Sequence, residues 1–120
     1  MTTSKVLVVD DDFDIREAIV DLLLDDGFEA ISAKDGRDGL SELRTYPAVG
    51  VIVLDLSMPM MDGEAFRAEQ LSDPALASIP VILLSAEENL PQLAAKLGAS
   101  AALCKPVQPA ALLRAVRACN

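Results

Sequence analysis

The sequence predicts an α/β domain in which a doubly wound, five-stranded parallel sheet is covered by five helices. Three observations predict it. Short apolar runs of strand length alternate with longer stretches of helical periodicity five times along the chain. The central run, Gly50-Val-Ile-Val-Leu-Asp55, stays apolar up to its final carboxylate, as a strand covered on both faces must. Four of the five runs then end in residues that can do chemistry: Asp10 and Asp11, Asp55, Ser85, and Lys105.

Val6 to Val9 is a β-branched run that meets Asp10-Asp11-Asp12, so it reads as the first strand entering a loop. Ile15, Ala18, Ile19, Leu22 and Leu23 then share one helical face, with Asp12 as N-cap and Gly27 as stop. Phe28 to Ser32 is a weaker second strand. The second helix starts near Gly36, turns Leu40 and Leu43 inward, and ends by Pro47, because the residue before proline is pushed out of the helical region. The third strand ends at Asp55, and a loop with Pro59 and the turn pair Asp62-Gly63 leads to a helix over Gly63 to Leu71 with Phe66 facing the core. Met58, Met60 and Met61 in that loop read as local packing. Val81 to Leu84 makes the fourth strand, ending at Ser85. Leu90, Leu93, Ala94 and Leu97 mark a fourth helix stopped by Gly98. Ala101 to Cys104 is the fifth strand, and Leu112, Leu113 and Val116 face inward from the last helix.

Composition narrows the function. At 120 residues, 52% hydrophobic and 24% charged, residues 1–120 are expected to form one globular domain. The net charge of -9, without clustered Lys or Arg, argues against nucleic-acid binding through this domain. No apolar run approaches the roughly 18 residues of a membrane helix, and Met1-Thr-Thr-Ser-Lys5 lacks a signal-peptide pattern, so a cytoplasmic location with no membrane contact is expected. The chain has no histidine, which removes Ser-His and Cys-His catalysis and His-ligated metal together. Cys104 and Cys119 read as ordinary reduced thiols.

All parallel strands end at one edge, so the chemical residues gather there. If the strand order is 2-1-3-4-5, the first and third strands are neighbours and Asp10, Asp11 and Asp55 come within reach of one another. Three carboxylates repel, and a hard divalent cation with oxygen ligands relieves that repulsion; Mg²⁺ suits a few carboxylates plus water. With Lys105 it brings a charge of roughly −3 back to about zero. Such a pocket can accept a phosphoryl group, with Asp55 as nucleophile and the metal, Lys105 and the Ser85 hydroxyl stabilising the transferred oxygens.

Four segments, Val8-Val9-Asp10-Asp11-Asp12, Asp55-Leu-Ser-Met-Pro-Met-Met-Asp-Gly63, Leu84-Ser85-Ala86 and Lys105-Pro106, together resemble the receiver domain of two-component response regulators over essentially the whole chain. The resemblance implies the flavodoxin-like strand order 2-1-3-4-5 and a signalling switch rather than a turnover enzyme. It implies Asp55 as phosphoacceptor, taking its phosphoryl group from a sensor histidine kinase or a histidine phosphotransfer protein. Asp10 and Asp11 match the acidic pair that holds Mg²⁺, completed by Asp55 and the main-chain carbonyl of Ser57. Ser85 matches the hydroxyl residue that moves to the phosphoryl group, and Lys105 the lysine that pairs with it. Phosphorylation then changes binding to an output protein or domain, whose identity the sequence leaves open, as it does a homodimer. An X-Pro bond costs only about 0.5–1 kcal/mol in the cis form, and Lys105–Pro106 is expected to be cis. Where the family often carries an aromatic side chain, three positions before the lysine, this chain has Ala102.

Two other readings compete. One is a haloacid-dehalogenase-like phosphatase, with Asp10 as nucleophile in Asp10-Asp11-Asp12-Phe13-Asp14; the expected Thr or Val is Asp14, and the chain is short for such an enzyme with its cap. The other is a degenerate receiver that only binds a partner, which the filled chemical positions disfavour.

Overall fold

The computed structural model describes residues 5–46, 48–56 and 63–119. The loop readings at Met58, Pro59, Met60, Met61 and Asp62, and the ligand reading at Ser57, lie outside them. Along the chain run β1 (Lys5–Val9), α1 (Phe13–Asp25), β2 (Glu29–Ala33), α2 (Gly36–Thr45), β3 (Val49–Asp55), α3 (Gly63–Ser72), β4 (Val81–Ser85), α4 (Leu90–Leu97), β5 (Ala101–Cys104) and α5 (Pro109–Ala118). The strands form one parallel sheet in the order β2-β1-β3-β4-β5, as expected.

Alternation along the strands divides the core in two. Leu7, Val9, Ile52, Leu54, Val81 and Leu83 pack with Leu40, Leu43, Phe66 and Leu90, from α2, α3 and α4. Val6, Val8, Val51, Val53, Ile82 and Leu84 pack on the other face with Ile19, Leu23, Leu112 and Val116, from α1 and α5. Covered on both faces, the three inner strands can carry apolar residues at every position. At the sheet's edges, β2 and β5 are only partly buried.

One register detail sets the site. Lys5 pairs with Val49 but Val6 pairs with Val51, so Gly50 is skipped. A bulge at a residue without a side chain costs little packing. The slip aligns Val9 with Leu54, so Asp10 and Asp55 leave neighbouring strands at the same level.

The helix ends follow local rules. Asp12 caps α1, its Oδ1 accepting from the Ile15 N–H at 3.1 Å. Gly27, with φ of 92°, stops the helix, and the Phe28 N–H returns to the Leu23 carbonyl. The residues expected on one face of α1 are covered unequally: Ile19 and Leu23 are buried, whereas Ile15 and Ala18 stay exposed. They line a cleft of about 380 Å³ with Leu22, Val107, Pro109 and Leu112. No helix among the described residues is long and apolar enough to cross a membrane.

Candidate functional site

The site is assembled by the ends of β1, β3, β4 and β5. Asp10 follows β1 and is fully buried; Asp55 closes β3 at 2% exposure. Asp11 lies beside them, exposed, and carboxylate oxygens of Asp10, Asp11 and Asp55 all fall within 4.8 Å of one another. Lys105 comes from the first residue after β5. Its Nζ donates to Asp55 Oδ1 at 3.0 Å and lies 3.9 Å from Asp10 Oδ2. The Lys105–Pro106 peptide bond is cis, as expected.

Ser85 ends β4 at 4% exposure. Its Oγ accepts from the Glu87 N–H at 3.0 Å, which orients the hydroxyl and leaves the O–H to donate. The next loop is tied to it, the Lys105 N–H donating to the Ser85 carbonyl. The structure thus gathers Asp10, Asp11, Asp55, Ser85 and Lys105 at one sheet edge; Ser57 is outside the described residues.

Charge in the pocket is unbalanced. Burial pushes the Asp10 carboxyl above its ordinary range; the Asp12 N–H, 2.9 Å from Oδ1, pulls it back, while the charges of Asp55 and Asp11 push it up and that of Lys105 pulls it down. Asp10 Oδ2 has no hydrogen-bond partner among the described residues. A buried carboxylate oxygen without a donor, facing two more carboxylates, has the chemistry of a ligand for a hard divalent cation, so the residues present fit Mg²⁺.

One contributor was not legible beforehand. Arg16, on the first turns of α1, donates from Nη1 to the Asp10 main-chain carbonyl at 2.8 Å and stacks over the Phe13 ring. Its place one turn after the acidic run was the only sequence signal.

A model of the response regulator receiver domain family matches residues 6–117. The chain belongs to that family. Protein PilG of Pseudomonas aeruginosa is 36% identical over 117 residues, covering 95% of this chain and 85% of PilG. A probable chemotaxis protein CheY of Rhizobium etli is 37% identical over 105 residues, covering 85% of this chain and 81% of that protein. The crystallised chemotaxis protein CheY4 of Vibrio cholerae superposes with a TM-score of 0.90 at 30% identity, over 99% of this chain and 100% of that one. Receiver membership disfavours the phosphatase reading built on Asp10, and the filled strand-end positions weigh against a receiver that has lost its chemistry.

Proposed function

We propose that this receiver domain, spanning residues 1–120, is switched by phosphorylation of Asp55, with a histidine kinase or histidine phosphotransfer protein as donor. The observation that carries the proposal is the contact between Lys105 Nζ and Asp55 Oδ1, 3.0 Å, within a cluster whose other carboxylates lie no more than 4.8 Å away. One Asp55 oxygen attacks phosphorus. The new P–O bond forms as the donor's P–N bond breaks, and that bond's electron pair stays on the imidazole nitrogen. Lys105 then gives up its hydrogen bond to the unphosphorylated Asp55 carboxylate and donates to a phosphoryl oxygen, and the Ser85 hydroxyl supplies a second donor. Mg²⁺, held by Asp10, Asp11, Asp55 and the Ser57 carbonyl, would supply the remaining positive charge. Arg16 and the Asp12 N–H hold Asp10 in place for this.

The domain acts as a switch in the cytoplasm: the chemistry is confined to its own phosphorylation, and the product is a changed affinity for an output partner. Incubation with a small-molecule phosphodonor and Mg²⁺ should add one phosphoryl mass, lost on chelation and in Asp55→Asn. Labelling that persists in Asp55→Asn and disappears in Asp10→Asn would return the phosphatase reading.

A further inference from the structure

The α3 helix carries a buried cation outside the phosphorylation site. Arg67 is 7% exposed, and its hydrogen-bond partners among the described residues are all neutral. Nε donates to the Leu97 carbonyl at 2.8 Å, Nη2 to the Gly98 carbonyl at 3.2 Å, and Nη1 to Gln70 Oε1 at 2.8 Å. Gln70, fully buried, donates in turn to the carbonyls of Leu76 and Ile79. Four hydrogen bonds therefore tie α3 to the end of α4 and to the connection before β4, and the Arg67–Gln70 bond links the two pairs within α3.

A guanidinium taken out of water needs compensation, and the carbonyl end of a helix provides it through unpaired acceptors and the negative end of the helix dipole. In α4 the carbonyls of Ala94 and Ala95 are used by the N–H groups of Ala99 and Gly98. Arg67 takes those of Leu97 and Gly98. Gly98 adopts the left-handed region at φ 64°, and a side chain there would stand 3.6 Å from Arg67 Nη2. A second, exposed contact between the same two helices pairs Lys96 with Glu64 at 3.4 Å.

The opposite end of α4 is held differently. Asn89 makes no side-chain cap, Pro91 offers no N–H, and residues 86–89 are exposed. Leu90 is buried there, an apolar contact without directional demand. That end follows directly from Ser85, whereas α3 starts at Gly63, whose N–H donates to the carbonyl of Leu56, next to Asp55. Both arms of the site therefore meet α4, one at each end.

We propose that Arg67, braced by Gln70, is a positioning residue that pins the C-terminal end of α4 to α3, so that occupation of the Asp55 site is expressed as movement of the α4 N-terminal end about this pin. The proposal rests on the phosphoacceptor reading for its trigger but not for the pin. It gives a route for the signal in a chain whose position 102 is alanine.

Amide hydrogen exchange of the whole chain, with and without beryllofluoride and Mg²⁺ as phosphoryl mimic, tests it. In the wild type, exchange should change at residues 86–90 and stay constant at 95–99. In Arg67→Met, residues 95–99 should exchange about tenfold faster without any mimic, the factor expected for losing a hydrogen bond from a charged donor. The response to the mimic should then spread along α4, which a merely structural role would not bring about. Should that variant fail to fold, Arg67→Lys keeps the charge, loses the fork, and should loosen the same residues less. Equal changes at both ends of α4 in the wild type, or unaltered protection of 95–99 in the folded variant, would overturn the pin. A mimic without effect anywhere in the wild type refutes the phosphoacceptor trigger instead, and the mimic-free comparison still decides the pin.

Discussion

Replacing Asp10 with asparagine should stabilise the metal-free protein while removing its response to Mg²⁺. The substitution is nearly isosteric. The amide oxygen can keep the hydrogen bond from the Asp12 N–H, and the Arg16 contact goes to the main chain and is untouched. What changes is charge. At the 4.8 Å limit between the Asp10 and Asp55 oxygens, two unit charges repel by about 3–4 kcal/mol at an effective dielectric of about 20. Asp11 is exposed, so water screens its share and it is left out. Against this stands the loss of Lys105 as a partner at 3.9 Å, an attraction weakened by the 26% exposure of that side chain and already directed more closely at Asp55. Relief of burying an ionised group adds to the gain, so the net expectation is stabilisation by about 1–3 kcal/mol.

For a chain of this size that raises the melting temperature by roughly 4–12 °C. Thermal melts in chelator and in excess Mg²⁺ measure both halves of the expectation. Wild type should gain from the metal by mass action, about 2.7 kcal/mol when Mg²⁺ is present at about 100 times its dissociation constant, and Asp10→Asn should gain almost nothing. A variant that melts below wild type in chelator, or that keeps the full Mg²⁺ increment, would refute the account of the pocket as stored repulsion relieved by a cation.

Gly63→Ala should act at the site from outside it: a Cβ there would stand 2.7 Å from Leu56 Cα and 3.1 Å from the Asp55 carbonyl, so the main chain beside Asp55 must yield. The expected cost is about 1–3 kcal/mol by chemical unfolding, with slower phosphorylation; unchanged stability and rate would show that the chain end of β3 adapts freely. The raised pKa of Asp10 sets the pH dependence. Because the folded state holds that proton more tightly than the unfolded chain, Asp10's contribution to metal-free stability is complete below about 3.8 and is lost as the pH rises through its folded value. Mg²⁺ must displace the same proton, so its affinity, followed by calorimetry, should already fall at a pH above 3.8; an affinity constant down to 3.8 would contradict the shift.

How much of this was legible in the sequence depended on how many faces of each element are covered. β1, β3 and β4 were plain because both faces are buried and the runs are apolar except at their ends. β2 read weakly because it is an edge strand that carries Glu29 exposed and Ser32 half-covered. The site residues were readable from their position at strand ends, but the Gly50 bulge that levels Asp55 with Asp10 leaves no pattern to read. Ile15 and Ala18 fit the α1 periodicity perfectly and still lie open, since periodicity reports which face is apolar and not whether a neighbour covers it. Arg67 and Gln70, which no sequence pattern singles out, show the opposite case. Polar residues on a helix suggest solvent, and only the carbonyl groups of Leu97, Gly98, Leu76 and Ile79, distant in sequence, make their burial tolerable.

Phosphorylation can shift this domain only by the difference in free energy that the phosphoryl group finds between its two states. On the proposed chemistry part of that difference is electrostatic and local: Lys105 and Ser85, at the ends of β5 and β4, would be drawn to new acceptors. Ala102 sits on β5 opposite Leu83, half-buried against the core on the α4 side, and its methyl group has no alternative rotamer to offer. The response cannot run through that side chain, and the route proposed above is the main chain after Ser85, the exposed approach to α4 without a side-chain cap. On the proposed pin, a helix held at that end by the apolar contact of Leu90 and at the other by a guanidinium would turn a small displacement at Ser85 into a tilt, altering the surface a partner meets.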